Sequence, residues 1–106
     1  MAITITVLYP NTQGSRFDMD YYVNTHIPLV EEHWGGGKGL TSVKLLKGAA
    51  TADPATPPPY QVIAVLGFES LQAFQAAAKE SGALVIGDIV NFTDVGPIVQ
   101  INENLN

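Results

Sequence analysis

Phe17-Asp18-Met19-Asp20-Tyr21-Tyr22-Val23-Asn24-Thr25-His26-Ile27-Pro28-Leu29-Val30, running on to His33-Trp34, is the stretch around which the chain is organised. It reads as an amphipathic helix of about four turns. Asp18 suits the N-cap, where a carboxylate accepts from a free backbone N–H of the first turn. Phe17 before it and Tyr22 at the fourth helical position suit a hydrophobic staple, and Asp20 suits the positive end of the helix dipole. At ~100° per residue, Met19, Tyr22, Val23, His26, Leu29, Val30, His33 and Trp34 share one face. Asp20, Asn24, Thr25, Glu31 and Glu32 take the other.

Two residues depart from that pattern. His26 stands in the middle of the apolar face, where a titratable group costs stability without a partner. Pro28 lies on the polar side and cannot bond back to the Asn24 carbonyl, which predicts a bend around whatever the helix covers. An inward imidazole beside a helix distortion marks the place to look for chemistry. Burial disfavours an imidazolium, and a carboxylate such as Asp94 reaching the ring would favour it.

At 106 residues the chain is expected to be one domain, 1–106. No apolar run approaches the ~18 residues that cross a bilayer, and the first residues alternate like a strand rather than a signal peptide. Cysteine is absent, so disulfide and thiolate chemistry are excluded and the cytoplasm is the default expectation. A formal charge of −5, with five basic residues scattered singly, argues against nucleic acid and anionic membranes as partners.

Outward from the helix, 3–9 alternates as a β-branched strand and 10–15 is a Pro/Asn/Gly turn. Glycines at 35–37 and 39 end the helix. Residues 40–47 suit an exposed-edge strand, 48–59 an extended Pro-rich connection, and 60–68 the strongest strand. Ser70 caps a second helix over 71–79, which Ser81-Gly82 is expected to interrupt, with a helical turn over 83–90 beyond. Gly96-Pro97 opens a last strand at 98–101. The order βαββαβ predicts an α+β, ferredoxin-like fold: a four-stranded antiparallel sheet with both helices on one face. Val62, Ala64 and Leu66 oppose Ile63 and Val65, and Ile98 opposes Val99 and Ile101, so both faces of the sheet carry apolar residues. Helices on one face leave the other uncovered, which predicts a homodimer through the sheet.

The blocks Val7-Leu8-Tyr9-Pro10, Phe17-Asp18-x-Asp20-Tyr21-Tyr22-x-x-x-His26-x-Pro28-Leu29, Pro58-Pro59-Tyr60, Ser70-Leu71-x-Ala73-Phe74 and Asp88-Ile89-x-Asn91-Phe92-Thr93-Asp94 together resemble the EthD family. The likeness spans nearly the whole chain, and Tyr-Tyr-x-x-x-His-x-Pro is its specific part. It implies a dimeric α+β barrel in which two ferredoxin-like subunits join their sheets. The family is named for a protein associated with ethyl tert-butyl ether degradation. Members often carry a reductase label, yet no cofactor motif stands in this sequence. The glycine run at 35–39 follows a helix rather than joining a strand to a helix, so it fits neither phosphate-binding loop.

The candidate catalytic residues are His26, Tyr22 and Asp94. Imidazole titrates near neutrality and serves as acid or base; a core histidine bonded to a carbonyl is the plainer alternative. Tyr22, one turn earlier, would orient His26 or a ligand oxygen, or simply pack. Asp94 would pair with His26 or merely start the last strand. Met19, Val30, Trp34 and Phe92 would line a substrate space, with core packing the competing role. Tyr21 points away, to the surface or an interface. His33 suits the helix C-terminus, and two histidines seven apart make a poor metal site, so no metal is expected. With no cofactor expected, two functions remain: a cofactor-free isomerase or monooxygenase-like enzyme acting on a small apolar catabolic intermediate, or a non-catalytic dimeric accessory protein that shelters one. Haem is disfavoured by the few basic residues available to its propionates.

Overall fold

The computed structural model describes residues 2–106. Strand β1 (Ile3–Pro10) leads through a turn into the first helix, which has three parts: α1 (Met19–Tyr21), a π-helical turn (Tyr22–His26) and α2 (Ile27–Trp34). Strands β2 (Leu40–Lys47) and β3 (Tyr60–Phe68) follow, then α3 (Leu71–Gly87), a 3-10 turn (Ile89–Asn91) and β4 (Ile98–Glu103). The sheet runs β2-β3-β1-β4 and every pairing is antiparallel. This is the expected ferredoxin-like α+β arrangement.

The first helix begins as its sequence dictates. Asp18 accepts from the Tyr21 N–H at 3.1 Å, and the rings of Phe17 and Tyr22 meet edge to face with centroids 5.2 Å apart. The middle departs from the sequence reading. The turn before Pro28 widens, and the Ile27 N–H reaches back five residues to the Tyr22 carbonyl. A proline ring collides with the carbonyl four residues earlier, and a π-turn opens the room for it. The extra residue shifts the buried face: Ile27 is buried and Val23 is exposed, the reverse of a regular 3.6-residue period.

Gly82 does not interrupt the second helix. Ser70 caps α3 by accepting from Ala73 N–H, and the helix continues through Ser81 and Gly82 to Gly87. Trp34 Nε1 donates to the Ala77 carbonyl at 3.2 Å, pinning α2 to α3. β4 runs two residues beyond expectation, because Asn102 and Glu103 stay in register with Thr4 and Ile3.

Cross-strand partners point to the same face. Ile5 with Leu66 and Ile101, and Val7 with Ala64 and Val99, therefore face the helices. The opposite face carries one apolar row, Leu46-Ile63-Leu8-Ile98, with Val65 beside it. The remaining positions there are chiefly polar, among them Thr4, Thr6, Lys44, Gln100 and Asn102. Under the helices lie two clusters. One gathers Ile3, Ile5, Val30, Trp34, Leu66, Phe68 and their neighbours. The other gathers Tyr9, Tyr22, Ile27, Val62 and Phe92. No helix among the described residues is long and apolar enough to cross a membrane.

Candidate functional site

A cavity of about 110 Å³ lies between the first helix, α3 and the sheet. Both clusters contribute to its wall: Ile5, Val30, Trp34 and Leu66 from one, Tyr9, Tyr22 and Ile27 from the other. His26 joins them, and Ile86, Ile89 and Val99 complete the side toward β4. Of the residues read from the sequence, Tyr22, His26, Val30 and Trp34 line this space. Met19, Phe92 and Asp94 do not.

His26 is buried, yet it has a partner: its Nδ1 lies 2.9 Å from Oδ2 of Asp88. Asp88 immediately follows α3. Its Oδ1 accepts from the Tyr21 hydroxyl at 2.7 Å and from Asn91 Nδ2 at 2.9 Å. An acidic side chain at the negative end of a helix is out of place electrostatically, and here three donors converge to hold it. Burial pushes its carboxyl up, but hydrogen bonds from Tyr21, Asn91 and His26, with the charge available on His26, outweigh it and hold the carboxyl below its ordinary value. Asp88 is therefore an acceptor with no proton to give, and the His26 Nδ1 facing it carries the hydrogen. Nε2 is the unprotonated nitrogen of the neutral ring.

Two expectations need correction here. The carboxylate that reaches His26 is Asp88 and not Asp94. Asp94 instead accepts from the Arg16 backbone N–H at 2.9 Å, closing the entry to the first helix. Thr93 assists by donating its hydroxyl to the Arg16 carbonyl, and Asp18 N–H donates to the Phe92 carbonyl. Tyr21, expected to point away to the surface or an interface, is half-buried and belongs to the Asp88 network. That hydrogen bond leads the causes that raise the Tyr21 pKa above its ordinary value. Asp88 and Asn91 were visible within Asp88-Ile89-x-Asn91-Phe92-Thr93-Asp94, but only the 3-10 turn selects the first acid over the last.

Aromatic rings hold the imidazole from the other sides. Phe92 is fully buried, its ring centroid 4.7 Å from that of His26 and 5.1 Å from Tyr22. Tyr22 stacks on His26, the planes inclined by 17°. Phe92 thus packs behind the histidine, while Met19 packs with the Tyr9 and Tyr22 cluster. The Tyr22 hydroxyl is buried without a hydrogen-bond partner, and burial pushes its pKa up. Such a group costs ~1–3 kcal/mol unless something satisfies it. His33 stands in the last turn of α2, away from the cavity. Among the described residues no three His, Asp or Glu side chains gather in a way that could hold a metal ion.

Comparison with known proteins agrees with this architecture. The EthD domain model matches residues 13–96. An EthD-like protein from Ralstonia eutropha JMP134 is 34% identical, with a TM-score of 0.91 over 99% of this chain and 93% of that one. An ethyl tert-butyl ether D family protein from Bacillus halodurans C-125 is 19% identical, with a TM-score of 0.74 over 99% of this chain and all of that one. SnoaB, a cofactor-independent oxygenase from Streptomyces nogalater, is 9% identical with a TM-score of 0.67 over 99% and 94% of the two chains, a likeness of fold. No curated protein matches the sequence.

Proposed function

The chain belongs to the EthD family, and from that premise we propose that it binds and transforms a small, mostly apolar molecule in the cavity between the first helix and the sheet. His26 is the acid–base group and Asp88 its positioning residue. The observation that carries this reading is a buried histidine on the wall of an apolar cavity, with one ring nitrogen committed to a carboxylate and the other free. An oriented imidazole of this kind moves protons in isomerisation or cofactor-free oxygenation, a contribution worth about 10²–10⁴ in rate. The ligand is an intermediate of ether or aromatic breakdown in this reading, which the family's name and the apolar wall support.

A second reading is supported by the wall itself, which is mostly apolar apart from His26 and the tyrosines Tyr9 and Tyr22. A wall so poor in polar groups suits a dimeric accessory protein that shelters an intermediate without changing it. Either way the working unit is a homodimer, a proposal supported by the Leu46-Ile63-Leu8-Ile98 row on the uncovered face of the sheet. Light scattering at micromolar concentration checks it, and a monomer there would refute it.

Native mass spectrometry of the protein as purified, followed by turnover assays with whatever it retains, separates the two readings. The enzymatic one expects His26→Gln to lose at least about a hundred-fold in turnover while melting within a few degrees of the parent. If His26→Gln lowers stability alone and ligand affinity stays put, the accessory reading replaces it.

A further inference from the structure

We propose that the cavity is made for a monocyclic phenol. The ring fills the apolar space, and its hydroxyl donates to Nε2 of His26 while accepting from the hydroxyl of Tyr22. This rests on the cavity being a ligand site, as argued above.

Three observations select that chemistry. First, the Tyr22 hydroxyl is buried with no partner in the protein, and Tyr22 is one of the residues of the cavity wall. A buried hydroxyl left alone implies a partner that completes it. Second, Asp88 faces Nδ1 of His26 and fixes the proton there, which leaves Nε2 of the neutral ring an acceptor. A ketone would satisfy Tyr22 and leave Nε2 without a donor; a hydroxyl both donates and accepts. A carboxylate or phosphate would find no lysine or arginine on the wall. Third, the cavity holds about 110 Å³. An engineered apolar cavity of about 150 Å³ takes up benzene. One ring therefore fits with a small outward movement on the side of Ile86 and Val99, which are half-exposed or more. Two fused rings do not. Tyr9, Trp34 and Phe74 on the wall favour an aromatic occupant over an aliphatic alcohol of similar size.

Calorimetric titration of the whole protein with phenol and with toluene, in the parent and in Tyr22→Phe, tests the proposal. Toluene is the same ring without the hydroxyl and is driven from water more strongly. The parent should nonetheless bind phenol at least as tightly as toluene. The ratio of phenol to toluene affinity should fall about ten-fold in Tyr22→Phe, the loss expected of one buried hydrogen bond. The ¹⁵N resonance of His26 Nε2 should move on adding phenol and stay in place with toluene. Toluene binding better than phenol in the parent, or a ratio unchanged in Tyr22→Phe, overturns the phenol assignment and leaves the cavity a ligand site. Binding of neither compound overturns the phenol assignment, and the ligand-site reading is then decided by what the purified protein retains in native mass spectrometry. Tighter binding of 1-naphthol than of phenol overturns the limit to one ring.

Discussion

Oδ2 of Asp88 lies 2.9 Å from Nδ1 of His26, across 62 positions of sequence. This contact joins the interior of the first helix to the end of α3, the two elements that enclose the cavity from the helix side. The imidazole orientation therefore depends on how these two helices sit against each other. Tyr21 reaches the same carboxylate from the first helix, so Asp88 is bound by two residues of that helix and by Asn91 of its own turn.

Acid should weaken the protein through Asp88. Its carboxyl titrates below the ordinary range in the folded chain, so the unfolded chain takes up the proton first. The stability it contributes is fully present above about pH 3.9, the unfolded value, and is lost as pH falls from there through the folded one. Asp88→Asn should flatten that acid limb and lose on the order of 1 kcal/mol at neutral pH from its weaker hydrogen bonds. Urea midpoints from pH 6 to pH 3 measure both. Parallel acid limbs in the parent and Asp88→Asn would show that Asp88 carries none of it.

Alkali acts through the buried tyrosines. Burial raises the pKa of Tyr22 and, with the neighbouring Tyr22 adding to it, that of Tyr9. Both phenols stay protonated in the fold, while the unfolded chain ionises near pH 10. Stability is full below that value and declines as pH rises from it toward the raised folded values. Tyr22→Phe should lose less melting temperature than the parent between pH 9 and pH 11. Equal losses would mean that another group governs alkaline unfolding.

Phe92 holds the imidazole by packing alone, and it is fully buried. Phe92→Ala should cost about 3–5 kcal/mol, from lost burial plus the cavity left behind. Phe92→Leu should cost less than half as much. Denaturant unfolding of the two variants decides it, and a cost under about 1 kcal/mol for Phe92→Ala would show that the ring cluster collapses to fill the gap.

The strands and the fold class were legible because their signals are local. Alternation bounded by Gly and Pro put β2 at 40–47 and β3 at 60–68, where they lie. β4 was cut short at Ile101 because Asn102 and Glu103 look like a tail; their ladder bonds use only backbone. Tertiary packing overrode two helical signals. Ser81-Gly82 has the composition of a break, but Ala77 and Val85 on either side are anchored in the core and carry the helix through. A 3.6-residue period also cannot foresee a π-turn, so Val23 was placed inward and Ile27 was not counted on the buried face. His26 and Tyr22 were legible as inward-facing residues, since polarity on an apolar face is a local anomaly, and both are buried on the cavity wall. Asp88 was not, since its role depends on where α3 ends relative to the first helix.

Gly82 is buried in the middle of α3 and forms part of the cavity wall. A glycine inside a helix costs about 1 kcal/mol relative to alanine, through the greater freedom it gives up on folding. Packing does not explain it. A β-carbon built there would meet only the methyl of Ala78, at 3.8 Å, an ordinary contact. Its conformation is helical, so no positive φ requires glycine either. What the missing methyl leaves is room in the cavity. Gly82→Ala should therefore raise stability by about 0.5–1 kcal/mol, seen as a higher denaturant midpoint with an unchanged slope. The same variant should bind phenol and toluene several-fold more weakly, because the added methyl takes volume from a space of about 110 Å³. Higher stability with undiminished binding of both compounds would show that ligands do not touch the α3 wall. Lower stability would show that the helix at Gly82 needs the freedom of glycine after all.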